Sequence, residues 1–419
     1  MSESYTQINR IDLGDFIYAT KEDRAENYGK DILDFLNNPD SFRTFSKGLT
    51  ELLQKSGYTG ADTPEAKTDY LYQKLQNISS GITKELLLQW FQDEEKRPIV
   101  KNDSRKNMYE ICFALQLPLD KVRWFFSHVY YDRSFNCHCL EEAVYYFCFK
   151  NSLSYAEAKD IIHTVEQKEA PESFFKNTYT YVITATLDNL TAKDELITYL
   201  VQNKATFEEG HWNQLALDYV KELQQEILNG ETTSGIIKNL REGKNIPEQE
   251  TKKCGLLVQE IYKRFPDTLI KKLKGCHVDS NDFLLSKILE HDVNGISKNA
   301  MLPVVVKQNF PRKNDLCAIL KHADSSRSYD SIRKTLILLK FYSFWCNALL
   351  ESEQPGDYSS EDLAEAFEEE TDNLLLECGY EELAACNPYD WLYLSAARQD
   401  DPLMAFRNLI AEIIETEKD

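Results

Sequence analysis

The sequence has little glycine and proline, with 15 and 12 residues of each among 419. Because these two residues disfavour a helical backbone most strongly, their scarcity favours helices. Leu, Lys and Glu, which form helices readily, are abundant. We therefore predict an all-α, multi-helical protein. Its length exceeds what one ordinary core accommodates and predicts two to three domains.

The sequence also lacks a long hydrophobic run and a signal segment. The longest apolar run, residues 335–350, is interrupted by Lys340 and is shorter than the about 20 residues that a membrane span requires. The first residues do not combine a basic stretch with an apolar one. Ten cysteines at irregular spacing indicate free thiols rather than a disulfide framework. These features predict a soluble, cytoplasmic protein that does not bind membranes.

Sequence motifs for catalysis are missing. The chain has no G-x-G-x-x-G, no Walker loop, no G-x-S-x-G and no H-E-x-x-H. The nearest approach to a metal site is Cys137-His138-Cys139, but zinc needs four ligands, usually as two separated pairs, and a second pair is absent. We interpret Cys137 and the later Cys148 as core thiols. The sequence therefore predicts a non-enzymatic protein without cofactor or metal.

The net charge of −21 is unevenly distributed. Residues 231–340 carry 20 Lys and Arg against 13 Asp and Glu, and residues 41–107 carry 11 against 9. Residues 341–419 carry 3 against 20. The first two ranges tolerate phosphate, whereas the last repels it. We predict an N-terminal arm (1–40), a helical domain (41–168), a helical middle domain with a basic surface (172–340) and an acidic helical C-terminal region (341–419).

Helical periodicity is nearly continuous through residues 41–166. Breaks are expected at residues 57–63, 78–81 and 93–103 and at Pro118, and they divide residues 41–130 into five helices. Outside this region, residues 182–187 and 303–310 fit either short strands or buried helix ends. Within it, the predicted core residues are Ile82, Leu86, Trp90, Ile111, Cys112 and Leu115.

The order of the five helices resembles the DNA-binding domain of the lambda-repressor-like (Cro, XRE) helix-turn-helix family. In that family the third helix is followed by a loop ending in a basic residue and proline, and then by a further helix. Here these parts read ITKELLLQWFQDEEKRP and MYEICFALQLPLDKV. The remainder resembles uncharacterised clostridial proteins encoded near mobile elements. The resemblance implies a transcriptional regulator that binds double-stranded DNA and controls mobile-element or phage-related genes.

The third helix is the expected recognition helix. Such a helix presents short polar or basic side chains at its N-terminus, where base edges and phosphates lie. In ITKELLLQWF, Ile82, Leu86 and Trp90 recur every four residues and predict the buried face. The predicted DNA contacts lie on the outward face, in the following loop and at the next helix start: Ser79, Ser80, Thr83, Lys84, Gln89, Lys96, Arg97, Lys101, Arg105 and Lys106.

A second candidate surface lies in the basic middle region. A helix is expected from about Tyr329, and its start offers a polar, basic front suited to phosphate or base edges. Its candidate DNA-binding residues are Arg327, Ser328, Arg333 and Lys334. We expect six of these cations to be exposed, so that replacing them leaves stability nearly unchanged: Lys84, Arg97, Arg105, Arg327, Arg333 and Lys334.

The alternative function is a non-enzymatic helical adaptor that binds a protein partner through a degenerate helix-turn-helix domain. Leu87, Leu88 and Phe91 make the third helix apolar over more of its circumference than base readout requires. Four carboxylates among residues 85–95 also oppose phosphate contact. Both functions are compatible with a homodimer. The adaptor is favoured if the candidate surfaces are buried or ringed by carboxylates.

Overall fold

A computed structural model describes residues 41–93, 96–98, 102–169, 180–207, 211–229, 328–351 and 360–399, with isolated residues elsewhere. All regular structure in these ranges is helical, which confirms the all-α fold. None of the helices in these ranges combines the length and apolar character that a membrane crossing requires. The chain forms two compact units. The first unit is Pro39–Trp212 with Leu375–Glu381, and the second is Met1–Asn38, Asn213–Leu374 and Glu382–Asp419.

The first unit begins with the five predicted helices, and the expected breaks separate them. Three starts are set by threonine hydroxyls, because Thr44, Thr63 and Thr83 each accept a hydrogen bond from a backbone N–H in the first turn. The helices are α1 (Phe45–Lys55), α2 (Pro64–Gln76), α3 (Lys84–Gln92), α4 (Asn102–Ala114) and α5 (Leu119–Phe125), which continues into a π-helical turn (Phe126–Tyr130).

Four more helices complete the first unit: α6 (Leu140–Lys150), α7 (Tyr155–Gln167), α8 (Thr180–Asn189) and α9 (Lys193–Gln202), followed by a 3-10 turn (Lys204–Phe207). Residues 182–187 are therefore helical, whereas residues 303–310 lie outside the described part. Helix α7 packs on α4 and α6, and α9 packs on α7. The compact unit thus extends beyond the boundary expected near residue 170, which is also outside the described part.

The buried face of α3 differs from the predicted one. Ile82 and Trp90 are buried as expected, but Leu86 is only partly buried, and Leu87 and Phe91 lie in the core instead. The reason is that α3 begins after Ile82, so the four-residue spacing counted from Ile82 does not follow one helix. This core face packs α3 against α1 and α2.

Residues 108–114 of helix α4 are all buried. Ile111 and Cys112 are fully buried as predicted, whereas Leu115 follows the helix end and is only partly buried. The ring of Phe113 stacks on Phe149 of α6, with centroids 4.0 Å apart. Aromatic contacts of this kind add to the free energy gained by burial.

Five helix ends in the first unit share one turn geometry. A left-handed residue lies two or three positions beyond the last helical residue, and the residue after it donates its N–H to a carbonyl five residues earlier, as in a Schellman motif. The left-handed positions are Gly57, Ser79, Gln116, Ser152 and Gly379. The residues that follow them are Tyr58, Ser80, Leu117, Leu153 and Tyr380.

The second unit contains α10 (His211–Asn229) from Asn213 onward, α11 (Tyr329–Glu351), the part of α12 (Ser360–Glu377) up to Leu374, and α13 (Pro388–Ala397). The helix start expected near Tyr329 is confirmed. Helix α13 is buried along its whole length and packs on α11. Phe341 of α11 contacts the rings of Phe367 and Tyr393, with centroids 5.5 and 5.3 Å away.

Asp372 is a partly buried carboxyl group on α12. Its Oδ1 accepts a hydrogen bond of 2.7 Å from the backbone N–H of Leu383. Burial raises the pKa of Asp372 to about 7, and the negative charges of Glu382 and Glu368 act in the same direction. The N–H of Leu383 and the charge of Arg333 oppose the shift.

Replacing a left-handed residue with glycine should stabilise the first unit. Gln116 has φ 52°, where an L side chain is strained. We expect Gln116→Gly to raise the free energy of unfolding by about 0.5–1 kcal/mol, measured by urea denaturation. The matched control Gln73→Gly, at an exposed site within α2, should lower it by about 1 kcal/mol. A loss of stability in Gln116→Gly would contradict the account.

Asp372 should make stability depend on pH. Its pKa is about 7 in the folded protein and about 3.9 in an unfolded chain. Its contribution is therefore complete below about pH 4 and is lost as pH rises through about 7. At pH 8, Asp372→Asn should stabilise the protein by on the order of 1–2 kcal/mol, and at pH 4 the two proteins should differ little. Thermal unfolding across this range tests it, with Glu369→Gln as the exposed control on α12. Equal pH profiles for wild type and Asp372→Asn would disprove the assignment.

Candidate nucleic-acid interface

Helix α3 holds the predicted recognition surface in a fixed orientation. Its buried side, which includes Leu87 and Trp90, anchors it in the core, and its outward side exposes Lys84, Glu85 and Gln89. The predicted outward positions Lys84 and Gln89 are therefore at the surface. We call the exposed surface that α3 forms with α2 the α2–α3 face; it consists of Glu65, Asp69, Lys84, Glu85, Gln89 and Gln92.

The charge of Lys84 is matched by a carboxylate. Its Nζ lies 2.5 Å from Oδ1 of Asp69 on α2, and both side chains are about half exposed. The hydrogen bond with Asp69 raises the pKa of Lys84, so the lysine stays protonated. Glu65 accepts a hydrogen bond of 3.2 Å from Gln92. The α2–α3 face thus carries one cation and three carboxylates, a balance that repels phosphate.

The three hydroxyl groups predicted to contact DNA have different surroundings. Ser79 is exposed and left-handed, with φ 54°. Ser80 is half-buried, and its Oγ donates to Glu110 at 2.5 Å. Thr83 is exposed, but its Oγ1 accepts the N–H of Leu86 as the cap of α3. Two of the three hydroxyls are therefore engaged within the protein.

The loop after α3 offers fewer cations than predicted. Lys96 and Lys106 are exposed. Arg97 is half-buried, donates to the carbonyl of Tyr130 at 2.5 Å and lies 5.6 Å from the ring of Tyr131. Lys101 lies outside the described residues. Lys96 and Lys106 are thus the exposed cations that the described part of this loop and helix start contributes.

Arg105 is buried, so the prediction that it lies at the surface is wrong. Only 4% of the residue is exposed. Its guanidinium forms two hydrogen bonds with Glu142 of α6, of 2.8 and 2.7 Å, and a further ion pair with Asp132. It also donates to the carbonyl of Arg133 at 3.0 Å. The side of α4 that carries Arg105 therefore faces residues 132–133 and α6.

Glu142 completes the polar cluster around Arg105. Its Oε2 accepts the backbone N–H of Asn136 at 2.6 Å and lies 2.9 Å from the hydroxyl of Tyr109. Burial alone would raise the pKa of Glu142, but the charge and hydrogen bonds of Arg105 lower it below its usual value. The carboxylate is therefore ionised, and the cluster joins α4, residues 131–136 and α6.

The second candidate surface is also largely internal. Arg333 and Lys334 are buried, at 8% and 2% exposure, so their predicted surface location is wrong. Arg333 forms two hydrogen bonds of 2.8 Å with Asp390 of α13, because this part of α11 faces α13. Lys334 pairs with Asp330 at 2.8 Å. Ser328 is half-buried and accepts the N–H of Ser331 at 3.2 Å, and Arg327 lies outside the described residues.

The carboxylates that pair with these buried arginines, Glu142 and Asp390, were not among the residues predicted from the sequence. Glu142 directly precedes the apolar run AVYYFCF, and Asp390 lies within PYDWLYL. A carboxylate embedded in an apolar stretch must find a partner when it is buried, because an unpaired ion there is costly. That pattern could have pointed to buried arginines, although it does not say which ones.

The Cys-His-Cys stretch is internal. Cys137 and Cys148 are buried thiols, as predicted, and burial raises the pKa of each to about 12. Burial lowers the pKa of His138 to about 3. Among the described residues, no three His, Cys, Asp or Glu side chains converge as a metal ion would require.

Removing Arg105 should destabilise the first unit strongly. Arg105→Ala would leave Glu142 and Asp132 buried without their cation. We expect a loss of about 3–5 kcal/mol in the free energy of unfolding. The neighbouring Lys106→Ala removes an exposed cation and should change it by less than about 0.5 kcal/mol. Urea denaturation followed by circular dichroism measures both, and equal small effects would refute the buried cluster.

Comparisons with protein-family models, curated proteins and solved structures find no match for this chain. The resemblance to the lambda-repressor-like family therefore rests on the helix order and on the stretches ITKELLLQWFQDEEKRP and MYEICFALQLPLDKV. The function of the first unit is therefore inferred from the charges and hydrogen-bonding groups on its surface.

Proposed function

We propose that the first unit is a non-enzymatic binding module, and that its α2–α3 face binds a basic segment of a protein partner. The observation that supports this most directly is the ion pair between Lys84 and Asp69. A recognition helix would offer an unpaired cation to phosphate at this position. Here the cation, Lys84, is already paired with Asp69. This is the adaptor function that the sequence left as an alternative.

The charge balance of the face opposes DNA as its ligand. Binding to duplex gains most of its sequence-independent free energy when unpaired Lys and Arg release counterions from the backbone. On this face Glu65, Asp69 and Glu85 outnumber Lys84. Phosphates approaching it would meet a net negative surface, whereas lysines or arginines of a partner would meet complementary charge.

The same face has the other properties of a protein-binding surface. Gln89 and Gln92 offer amide donors and acceptors between the carboxylates, and Leu88 is partly exposed beside them. The helix is rigid because Leu87 and Phe91 hold its opposite side in the core. A rigid helix face lowers the entropic cost of binding. A basic helix or extended segment fits this chemistry.

A DNA-binding regulator of mobile-element or phage-related genes is the second candidate. It is favoured by the five-helix order and by the exposed Lys96 and Lys106 beyond α3. These two lysines could contact phosphate while the α2–α3 face could not. The two candidates differ in how binding to duplex responds to salt and to charge reversal on the face.

Wild-type protein should not bind a labelled 20-base-pair duplex in fluorescence anisotropy, even at about 50 mM salt, where electrostatic attraction is strong. The variant Glu65→Lys/Glu85→Lys reverses two charges on the face. It should gain salt-dependent binding with a dissociation constant of about 10⁻⁴–10⁻⁶ M, typical of non-specific contacts. The control Glu166→Lys/Glu169→Lys makes the same charge change at exposed positions at the end of α7. Tight wild-type binding would favour the regulator.

The basic partner can be tested without knowing its identity. A display library of random 16-residue peptides is selected on the wild-type full chain, and the enriched peptides are synthesised. We expect them to be rich in Lys and Arg, to lose at least tenfold in affinity on Glu65→Lys/Glu85→Lys, and to bind the control variant normally. Enrichment of neutral or acidic peptides, or equal loss on both variants, would reject the proposal.

A further inference from the structure

The turn between α2 and α3 departs from the other Schellman turns of the first unit. The position after the left-handed residue is usually apolar, because its side chain packs back on the helix. Tyr58, Leu117, Leu153 and Tyr380 follow this rule, whereas the α2 turn has Ser80. Ser80 cannot make the apolar contact that is usual at this position, so the partners of its hydroxyl are of interest.

The hydroxyl of Ser80 joins the turn to a buried carboxylate. It donates to Oε2 of Glu110 on α4 at 2.5 Å and accepts the N–H of Ile82 at 3.2 Å. Ile82 is buried and directly precedes Thr83, the cap of α3. Ser80 therefore connects the residues that precede α3 to helix α4 through hydrogen bonds.

Glu110 extends this connection to α7. The residue is only 6% exposed, and its Oε1 accepts a hydrogen bond of 2.8 Å from the hydroxyl of Tyr155, the first residue of α7. Burial raises the pKa of Tyr155, and the hydrogen bond with Glu110 raises it further, so the phenol stays protonated and donates. Each carboxylate oxygen of Glu110 thus accepts one hydrogen bond, the first from Ser80 in the turn before α3 and the second from Tyr155 at the start of α7.

We propose that Glu110 is a positioning residue for the α2–α3 face, and that Ser80 and Tyr155 act through it to fix the orientation of α3. This inference rests on the proposed function for its consequence, which is that binding at the face depends on a hydrogen bond between two residues outside it, Glu110 and Tyr155, which are 45 residues apart in the chain. The physical reason is that α3 has only nine residues. A short helix gains little stability from its own hydrogen bonds, so its placement depends on tertiary contacts. The core face of α3 supplies one set of these contacts, and the connection through Ser80 at its start supplies another.

Hydrogen exchange tests the positioning role without any partner. Tyr155→Phe removes the hydroxyl that donates to Glu110, and Glu110→Gln weakens both bonds. Tyr109→Phe is a matched control, because it removes another buried tyrosine hydroxyl beside a carboxylate of the same unit, Glu142. In mass spectrometry of the full chain, we expect amides of α3 to exchange at least tenfold faster relative to those of α1 in Tyr155→Phe and Glu110→Gln. In Tyr109→Phe this ratio should stay within twofold of wild type.

A change of the ratio in Tyr109→Phe as large as in Tyr155→Phe would overturn the positioning role, and so would an unchanged ratio in both Glu110→Gln and Tyr155→Phe.

The second readout is affinity for the basic peptides selected on wild type. It should fall at least fivefold in Tyr155→Phe and not in Tyr109→Phe. If the exchange result holds and no basic peptide binds wild type, the proposed function fails while the positioning of α3 stands. If peptides bind and both tyrosine variants bind equally, the positioning role fails alone.

Discussion

The hydrogen-bonded ion pair between Arg105 and Glu142 is the constraint on which the first unit depends. Both residues are buried, and burying two charges is favourable only when nearly every donor and acceptor is satisfied. Asp132, Tyr109 and the backbone of Arg133 and Asn136 meet that requirement. Helix α4, residues 131–136 and α6 must therefore come together in one arrangement. The second unit uses the same device, because Arg333 is held by Asp390 between α11 and α13.

This constraint also determines which cations are available to bind an anionic ligand. An arginine near a helix start is a natural candidate for phosphate contact, since helix N-termini attract anions. Arg105 instead donates its hydrogen bonds to partners inside the protein, and Lys84 forms an ion pair with Asp69 at the surface. What remains exposed around α3 is mainly carboxylate and amide. The order of helices therefore does not by itself determine which ligand the surface can bind.

Local features of the fold could be predicted from the sequence because they are encoded within a few residues. At Thr63-Pro64, for example, the threonine hydroxyl accepts the backbone N–H of Ala66 and the proline occupies the first helical position, so two adjacent residues mark a helix start. The breaks between the five helices follow from local signals of this kind. The predicted face of α3 was wrong at Leu86 because the helix begins after Ile82, a boundary that spacing alone does not locate. A shift of one residue changed which leucine is buried.

The buried cations could not be predicted in the same way. Arg105 and Glu142 are 37 residues apart, and Arg333 and Asp390 are 57 apart. Nothing in the spacing of the basic residues distinguishes a buried arginine from an exposed one, because the difference is made by a distant carboxylate. The same holds for Ser80, whose role depends on Glu110 across 30 residues. Fold class and helix order were therefore accessible from sequence, whereas the chemistry of the site was not.

The sign of the electrostatic potential at the α2–α3 face tests the central claim most directly. It can be measured on the full chain by nuclear magnetic resonance, from the relaxation that a cationic and an anionic nitroxide of equal size cause at each backbone amide. Our account predicts stronger relaxation by the cationic probe at the backbone amides of the exposed residues Glu85, Gln89 and Gln92, which means a negative potential. Stronger relaxation by the anionic probe at these amides would show a positive surface and would contradict the proposed basic partner.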